Sequence, residues 1–117
     1  VMDYRVTSGD FKSSKAARIV EFYSPSCFAC ISYRPQYIRL ARDVQKVYPE
    51  VEFYAVSCAA HNDICREHKL NGYPTLLAFK PGKNDDIKVE RHLGSYNRNS
   101  IEIALNLKKK KKEEIKE

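Results

Sequence analysis

Two cysteines spaced by two residues, Cys27 and Cys30, stand where an apolar run gives way to a helical pattern, and this junction constrains the fold more than any other feature. Ile19-Val20-Glu21-Phe22-Tyr23 has the length and composition of a buried strand. From Phe28 to Val47, the residues Ile31, Tyr37, Ile38, Leu40, Ala41, Val44 and Val47 recur at three- and four-residue spacings, which predicts a helix with one apolar side. Pro35 lies within it and is expected to kink it. A cysteine at the start of such a helix meets unpaired N–H groups and the positive end of the helix dipole, both of which favour its thiolate. Cys27 is therefore a candidate nucleophile.

The remaining chain reads as alternating elements. Tyr4-Arg5-Val6 is a short edge strand, and Ser8 or Asp10 caps a short helix. Val51 to Val56 is a second central strand, followed by a helix near Asn62 to His68 that ends before Asn71-Gly72. Thr75 to Phe79 is a third, Pro81-Gly82-Lys83-Asn84 a turn, and Ile87 to Leu93 alternates as a two-faced antiparallel strand. Ile101, Ile103, Ala104, Leu105 and Leu107 form one side of a last helix capped by Asn97 or Asn99. Strand, helix, strand implies a right-handed parallel crossover, and the order β-α-β-α-β-α-β-β-α gives an α/β fold: a central mixed β-sheet flanked by helices on both faces. In such sheets the reactive crevice lies at the carboxyl ends of the parallel strands, where Cys27 falls.

At 117 residues the chain supports one core, expected over residues 1–107, with 108–117 as a charged tail or linker. No apolar run approaches the ~20 residues of a membrane span. The net charge of +6 raises nucleic-acid binding, but residues 108–117 hold six Lys against three Glu and so supply half of that excess in a single block. Without aromatic or Gly-rich interleaving, the block reads as a solvated helix end rather than a nucleic-acid footprint. No secretory signal is visible, and Val1-Met2-Asp3 reads as the start of a segment taken from a longer chain. Four cysteines in two close pairs, Cys27/Cys30 and Cys58/Cys65, suggest redox or metal chemistry, or an oxidising compartment. His61, His68 and His92 are scattered without cysteines at metal-finger spacing, so no metal site is expected unless all four cysteines converge.

Thiol–disulfide exchange needs an accessible thiolate and a second thiol close enough to displace it. Cys27 fits the attacking role, with its acidity raised from ~8.5 into the range of about 3.5 to 7.5, and Cys30 fits the buried resolving one. Glu21 is an acid in an apolar strand; burial is expected to raise its pKa and fit it to exchange a proton with Cys30.

Glu21-Phe22-Tyr23-Ser24-Pro25-Ser26-Cys27-Phe28-Ala29-Cys30 is similar to Glu-Phe-Tyr-Ala-Pro-Trp-Cys-Gly-His-Cys, the signature of protein disulfide isomerase catalytic domains, which have the thioredoxin fold. Pro35 falls at that family's helix proline, Gly72-Tyr73-Pro74-Thr75 resembles its cis-proline loop, and the match runs from about Asp10 to Leu107. Ser26, Phe28 and Ala29 depart from the family's Trp, Gly and His, and Ala55 stands where many isomerases have a Lys beside the buried acid.

The resemblance implies a thiol–disulfide oxidoreductase or isomerase of the endoplasmic reticulum lumen or secretory pathway, with no bound cofactor. Its partners would be client polypeptides bearing thiols or disulfides, and a redox partner such as glutathione or an upstream oxidase. It implies a cis Tyr73–Pro74 bond facing the active sulfur, an apolar landing surface from Tyr73, Pro74, Phe28 and Tyr23, and a role for Arg98 in keeping the resolving thiol ionised. It also implies a structural disulfide between Cys58 and Cys65, a second redox pair being the alternative. Two other functions stay open: a client-binding chaperone or scaffold module with weak redox activity, and the thioredoxin module of a sulfhydryl oxidase.

Overall fold

A computed structural model describes residues 2–3, 10–70, 72–83, 87–88 and 96–107. The elements are β1 (Met2–Asp3), α1 (Asp10–Ser13), β2 (Arg18–Tyr23), α2 (Phe28–Val47), β3 (Glu52–Ser57), α3 (Asn62–Glu67), β4 (Thr75–Phe79), β5 (Ile87–Lys88) and α4 (Arg98–Leu105). They build one mixed sheet of order β1-β3-β2-β4-β5. β3 runs parallel to both β1 and β2, whereas β4 runs antiparallel to β2 and to β5. The first strand is seen at Met2–Asp3; the expected strand at Tyr4–Val6, the Ser8 cap, Asn71, Asn84, the continuation of β5 through Leu93, His92 and the tail 108–117 lie outside the described residues.

β2 is central because neither of its faces is polar enough to meet water, and it is buried from Arg18 to Phe22. Alternation sorts its side chains into two cores. Ile19 joins Tyr37, Leu40, Ala41, Val44, Phe53, Leu76, Ala78, Ile101 and Leu105 under α2 and α4. Val20 and Phe22 point the other way, to Phe11, Tyr54, Val56, Ile64, Leu77 and Phe79 beneath α1 and α3. Glu21, two residues beyond Ile19, shares the α2 face.

Arg18 is fully buried, a charge that the apolar pattern around it concealed. Its guanidinium donates to the carbonyls of Ser14, Ala16 and Lys83 and lies 5.1 Å from the centre of the Phe79 ring. Those carbonyls take hydrogen bonds from both terminal nitrogens of the guanidinium, so the charge closes the entry end of β2 instead of disrupting it.

α2 runs through Pro35 and buries Cys30, Tyr33, Tyr37, Leu40, Ala41 and Val44. Ile31, expected on this face, is 57% exposed because it lies 100° around the helix from Cys30, away from Tyr33 and Tyr37. Ile103 is likewise 72% exposed: two residues from Ile101, it points to the opposite side of α4, and only Ile101 and Leu105 are buried there. Asn97 caps α4 by accepting from the Ser100 N–H at 3.0 Å, and Asn106 ends it in the left-handed conformation. At the Pro81-Gly82 turn, Gly82 takes a φ of 76°, which suits a residue without a Cβ.

Candidate active site

The end of β2 launches the site. Cys27 occupies the N-cap of α2 in extended backbone, and its sulfur accepts the Cys30 N–H at 3.2 Å. The loop before it is closed by the Cys27 N–H donating to the Ser24 carbonyl at 3.0 Å. Cys27 is half-buried and Cys30 buried, and neither is bridged. Across from them, the Tyr73–Pro74 peptide is cis and the Tyr73 carbonyl lies 3.7 Å from the Cys27 sulfur. Pro74 is buried while Tyr73 is exposed.

The two thiols have opposite acidities. A hydrogen bond from the Cys30 thiol is the main cause holding Cys27 below its ordinary value, helped by the Cys30 and Ala29 N–H groups against some burial and the Glu21 charge. Cys30 is pushed up to about 12, first by burial and then by giving its hydrogen bond to Cys27, with the Glu21 charge acting in the same sense. Folding therefore makes one sulfur the readier of the two to ionise and the other the slower to lose its proton, the asymmetry that attack and later resolution require.

Glu21 is buried on the α2 face of β2, in register with Ala55 of β3 and Leu76 of β4. The small Ala55 side chain leaves a cavity of about 220 Å³ bounded by Glu21, Arg34, Tyr37, Ala41, Arg42 and Ala55. A second, of about 200 Å³, is bounded by Glu21, Tyr23, Pro25, Cys30, Ile31 and Arg34. The acid thus borders both Cys30 and an opening toward the helix surface. Arg34 lines both cavities, and sequence reasoning passed over it; its spacing of four from Cys30 was the available signal.

The expected residues Cys27, Cys30, Glu21, Tyr73 and Pro74 come together, and Phe28 stands beside Cys27 with 85% of its surface exposed. Arg98 stands at the start of α4. Its Nε lies 3.8 Å from Glu102, the carboxylate that also accepts the Tyr48 hydroxyl at 2.6 Å.

Cys58 and Cys65 are joined with their Cα atoms 5.7 Å apart, and both are buried in the core under α3. The Cys58 N–H donates to the carbonyl of Tyr23, the last residue of β2, at 2.8 Å, placing the bridge at the same end of the sheet as Cys27. Bonded to each other, these sulfurs are not available as metal ligands, and among the described residues no three His, Cys, Asp or Glu side chains converge. Nor is any helix among them long and apolar enough to cross a membrane.

Comparison with known proteins agrees with this geometry. The chain is 35% identical over 71 residues to the thioredoxin domain-containing protein 5 homolog of Drosophila melanogaster, covering 61% of this chain and 17% of the relative. It is 34% identical over 73 residues to human protein disulfide-isomerase A4, covering 62% of this chain and 11% of the relative, so it spans less than a fifth of either protein's length. The solution structure of the first thioredoxin domain of mouse protein disulfide-isomerase A4 superposes with a TM-score of 0.64 at 21% identity, covering 79% of this chain and 62% of that one, and shares the fold. The thioredoxin family model matches residues 6–106. By that match, and by the sheet order and paired cysteines that go with it, the chain belongs to the thioredoxin family.

Proposed function

We propose that this domain is a thiol–disulfide oxidoreductase, of the protein disulfide isomerase kind, acting on cysteines of client polypeptides. The observation that carries this reading is the Cys27 sulfur at the N-cap of α2, hydrogen-bonded by Cys30, partly exposed, and opposite the Tyr73 carbonyl. In the proposed reaction the Cys27 thiolate attacks a client sulfur and forms a mixed disulfide. Cys30 then gives its proton to Glu21 and displaces the client, and the cavity beside Ala55 offers that proton a way out. Tyr73, Pro74 and Phe28 form the surface on which the client lies. Arg98, at the start of α4 with its Nε 3.8 Å from Glu102, is in this proposal the group that keeps the resolving thiol ionised, as the resemblance implies.

The Cys58–Cys65 bridge is structural in this proposal, since both sulfurs are enclosed. A stable bridge belongs to an oxidising compartment, and two of the relatives are named as a disulfide isomerase or a thioredoxin domain-containing protein; together these support the lumen of the endoplasmic reticulum or another part of the secretory pathway.

Equilibrating the domain in a glutathione buffer series and trapping thiols at each step tests the proposal. The Cys27/Cys30 pair is expected to reduce well before Cys58/Cys65, and the domain to accelerate reduction of a protein disulfide. Client binding with no turnover would instead identify a scaffold module.

A further inference from the structure

The cavities of about 220 and 200 Å³ have the buried acid as a common wall, and among the described residues Glu21 and Arg34 alone border both. One cavity reaches Cys30 and Tyr23; the other runs past Arg42 and Gln45 to Ala55. Arg34 lies one turn beyond Cys30 on α2, and because Cα–Cβ bonds on a helix tilt toward its N-terminus, its side chain leans back toward that cysteine. It is an exposed residue with a long stem, able to bring its charge over either mouth.

Glu21 is only 5% exposed, and its charge opposes ionisation of Cys27, Cys30, Tyr33 and Tyr37, all carried by α2 or its cap. From the sheet, its register partners Ala55 and Leu76 are apolar, and Tyr23 follows two residues on along β2. The cations bordering its cavities are Arg34 and Arg42, and Arg42 borders one cavity only.

We propose that Arg34 is a positioning residue for the resolving step: its guanidinium, turned in over the junction of the two cavities, holds Glu21 charged and ready to take the Cys30 proton. This rests on the oxidoreductase reading. It acts on the acid, whereas the part given to Arg98 concerns the thiol. Burial favours the protonated form of a carboxyl group, which accepts no second proton, and an opposite charge nearby restores the ionised form. Across a water-poor cavity that attraction is stronger than at the open surface.

The step balances without another oxidant or reductant. The Cys30 thiol passes its proton to the Glu21 carboxylate and its electron pair to the Cys27 sulfur; a Cys27–Cys30 S–S bond forms, the Cys27–client S–S bond breaks, and the client sulfur leaves as a thiolate. Arg34 touches none of the reacting atoms.

The test mixes the reduced domain with an excess of a peptide dimer joined by one disulfide, so that attack outruns release. Acid-quenched samples are separated into reduced domain, mixed disulfide and oxidised domain, which times attack and release apart from acidic to neutral pH. Arg34→Gln is expected to slow release about tenfold at the acid end and to move that limb of its pH profile up by about one pH unit, with attack nearly unchanged. Arg34→Lys should restore most of the profile. Arg39→Gln removes the same charge from an exposed position about 140° around α2 that borders neither cavity, and should leave the profile in place. In a Glu21→Gln domain, Arg34→Gln should slow release no further. No shift from Arg34→Gln, an equal shift from Arg39→Gln, no rescue by Arg34→Lys, or an undiminished loss in the Glu21→Gln background would each overturn the proposal while leaving attack by Cys27 intact. A domain that forms no mixed disulfide with the peptide would bring down the oxidoreductase reading and this inference together.

Discussion

Cys27 and Cys30 begin a 20-residue helix with unbonded sulfurs, whereas Cys58 and Cys65, seven residues apart, are joined and enclosed in the core beneath α3. Both pairs lie at the same end of one sheet. What separates them is surroundings: the first sulfur has a backbone donor and a neighbouring thiol and is partly exposed, while the second pair has Val56, Ile64 and Leu77 packed around it. Identical side chains become reagent or fastener according to which hydrogen-bond donors reach them and whether a polypeptide can approach.

Removing the reagent should have the largest effect. Cys27→Ser is expected to cut disulfide reduction, followed in an insulin turbidity assay, by at least about a thousandfold. Residual turnover of more than a few percent would mean that Cys58/Cys65 also exchanges, and the contrast between the pairs would dissolve.

Glu21→Gln comes next. Losing the proton acceptor beside Cys30 should slow release of the mixed disulfide about a hundredfold in single-turnover quench experiments, while its formation at Cys27 continues. If formation and release slow together, Glu21 only holds the strand in place.

Replacing Cys58 and Cys65 together by Ala should lower stability by about 2 to 3 kcal/mol in urea unfolding, because a closed loop this short constrains the unfolded chain only modestly. Turnover by the folded fraction should persist; its loss would show that the bridge takes part in chemistry.

The smallest effect separates the two thiols within the first pair. Alkylation of Cys27 should be half-maximal below the ~8.5 of a free thiol, with Cys30 silent until pH approaches about 12. The sign of the linked stability follows. Cys27 has a lowered value, so its contribution to the reduced fold is complete above ~8.5 and is lost as pH falls through the lowered value. Cys30 has a raised one, so it costs the fold increasing stability as pH climbs from ~8.5 toward 12. A Cys27 profile matching free cysteine would remove the difference between them.

Much of this architecture was legible in the chain because β2 and α2 write their burial as long, regular apolar patterns, and the cysteine spacing marks their junction. The errors fell where periodicity alone is ambiguous. Ile31 and Ile103 are apolar and near the buried stripe, yet each lies around the helix from it, and burial is decided by what packs opposite. The burial of Arg18 was not legible because the carbonyls that receive its guanidinium come from Ser14, Ala16 and, far along the chain, Lys83. The contacts that Glu102 makes with Arg98, one turn away, and with Tyr48 of the other helix were invisible until the two helices were in place. The cavity beside Ala55 was foreshadowed only as a missing lysine; that the space stays open, with Arg34 at both mouths, required the packed helix.

The hydrogen bond from the Cys58 N–H to the Tyr23 carbonyl joins the stapled turn to the final rung of β2, just where the chain departs for the reactive loop. Heat or reductant that loosens the staple would therefore slacken the mounting of the nucleophile before the rest of the sheet comes apart, and enzymatic output would fade at a lower temperature than the global melting point.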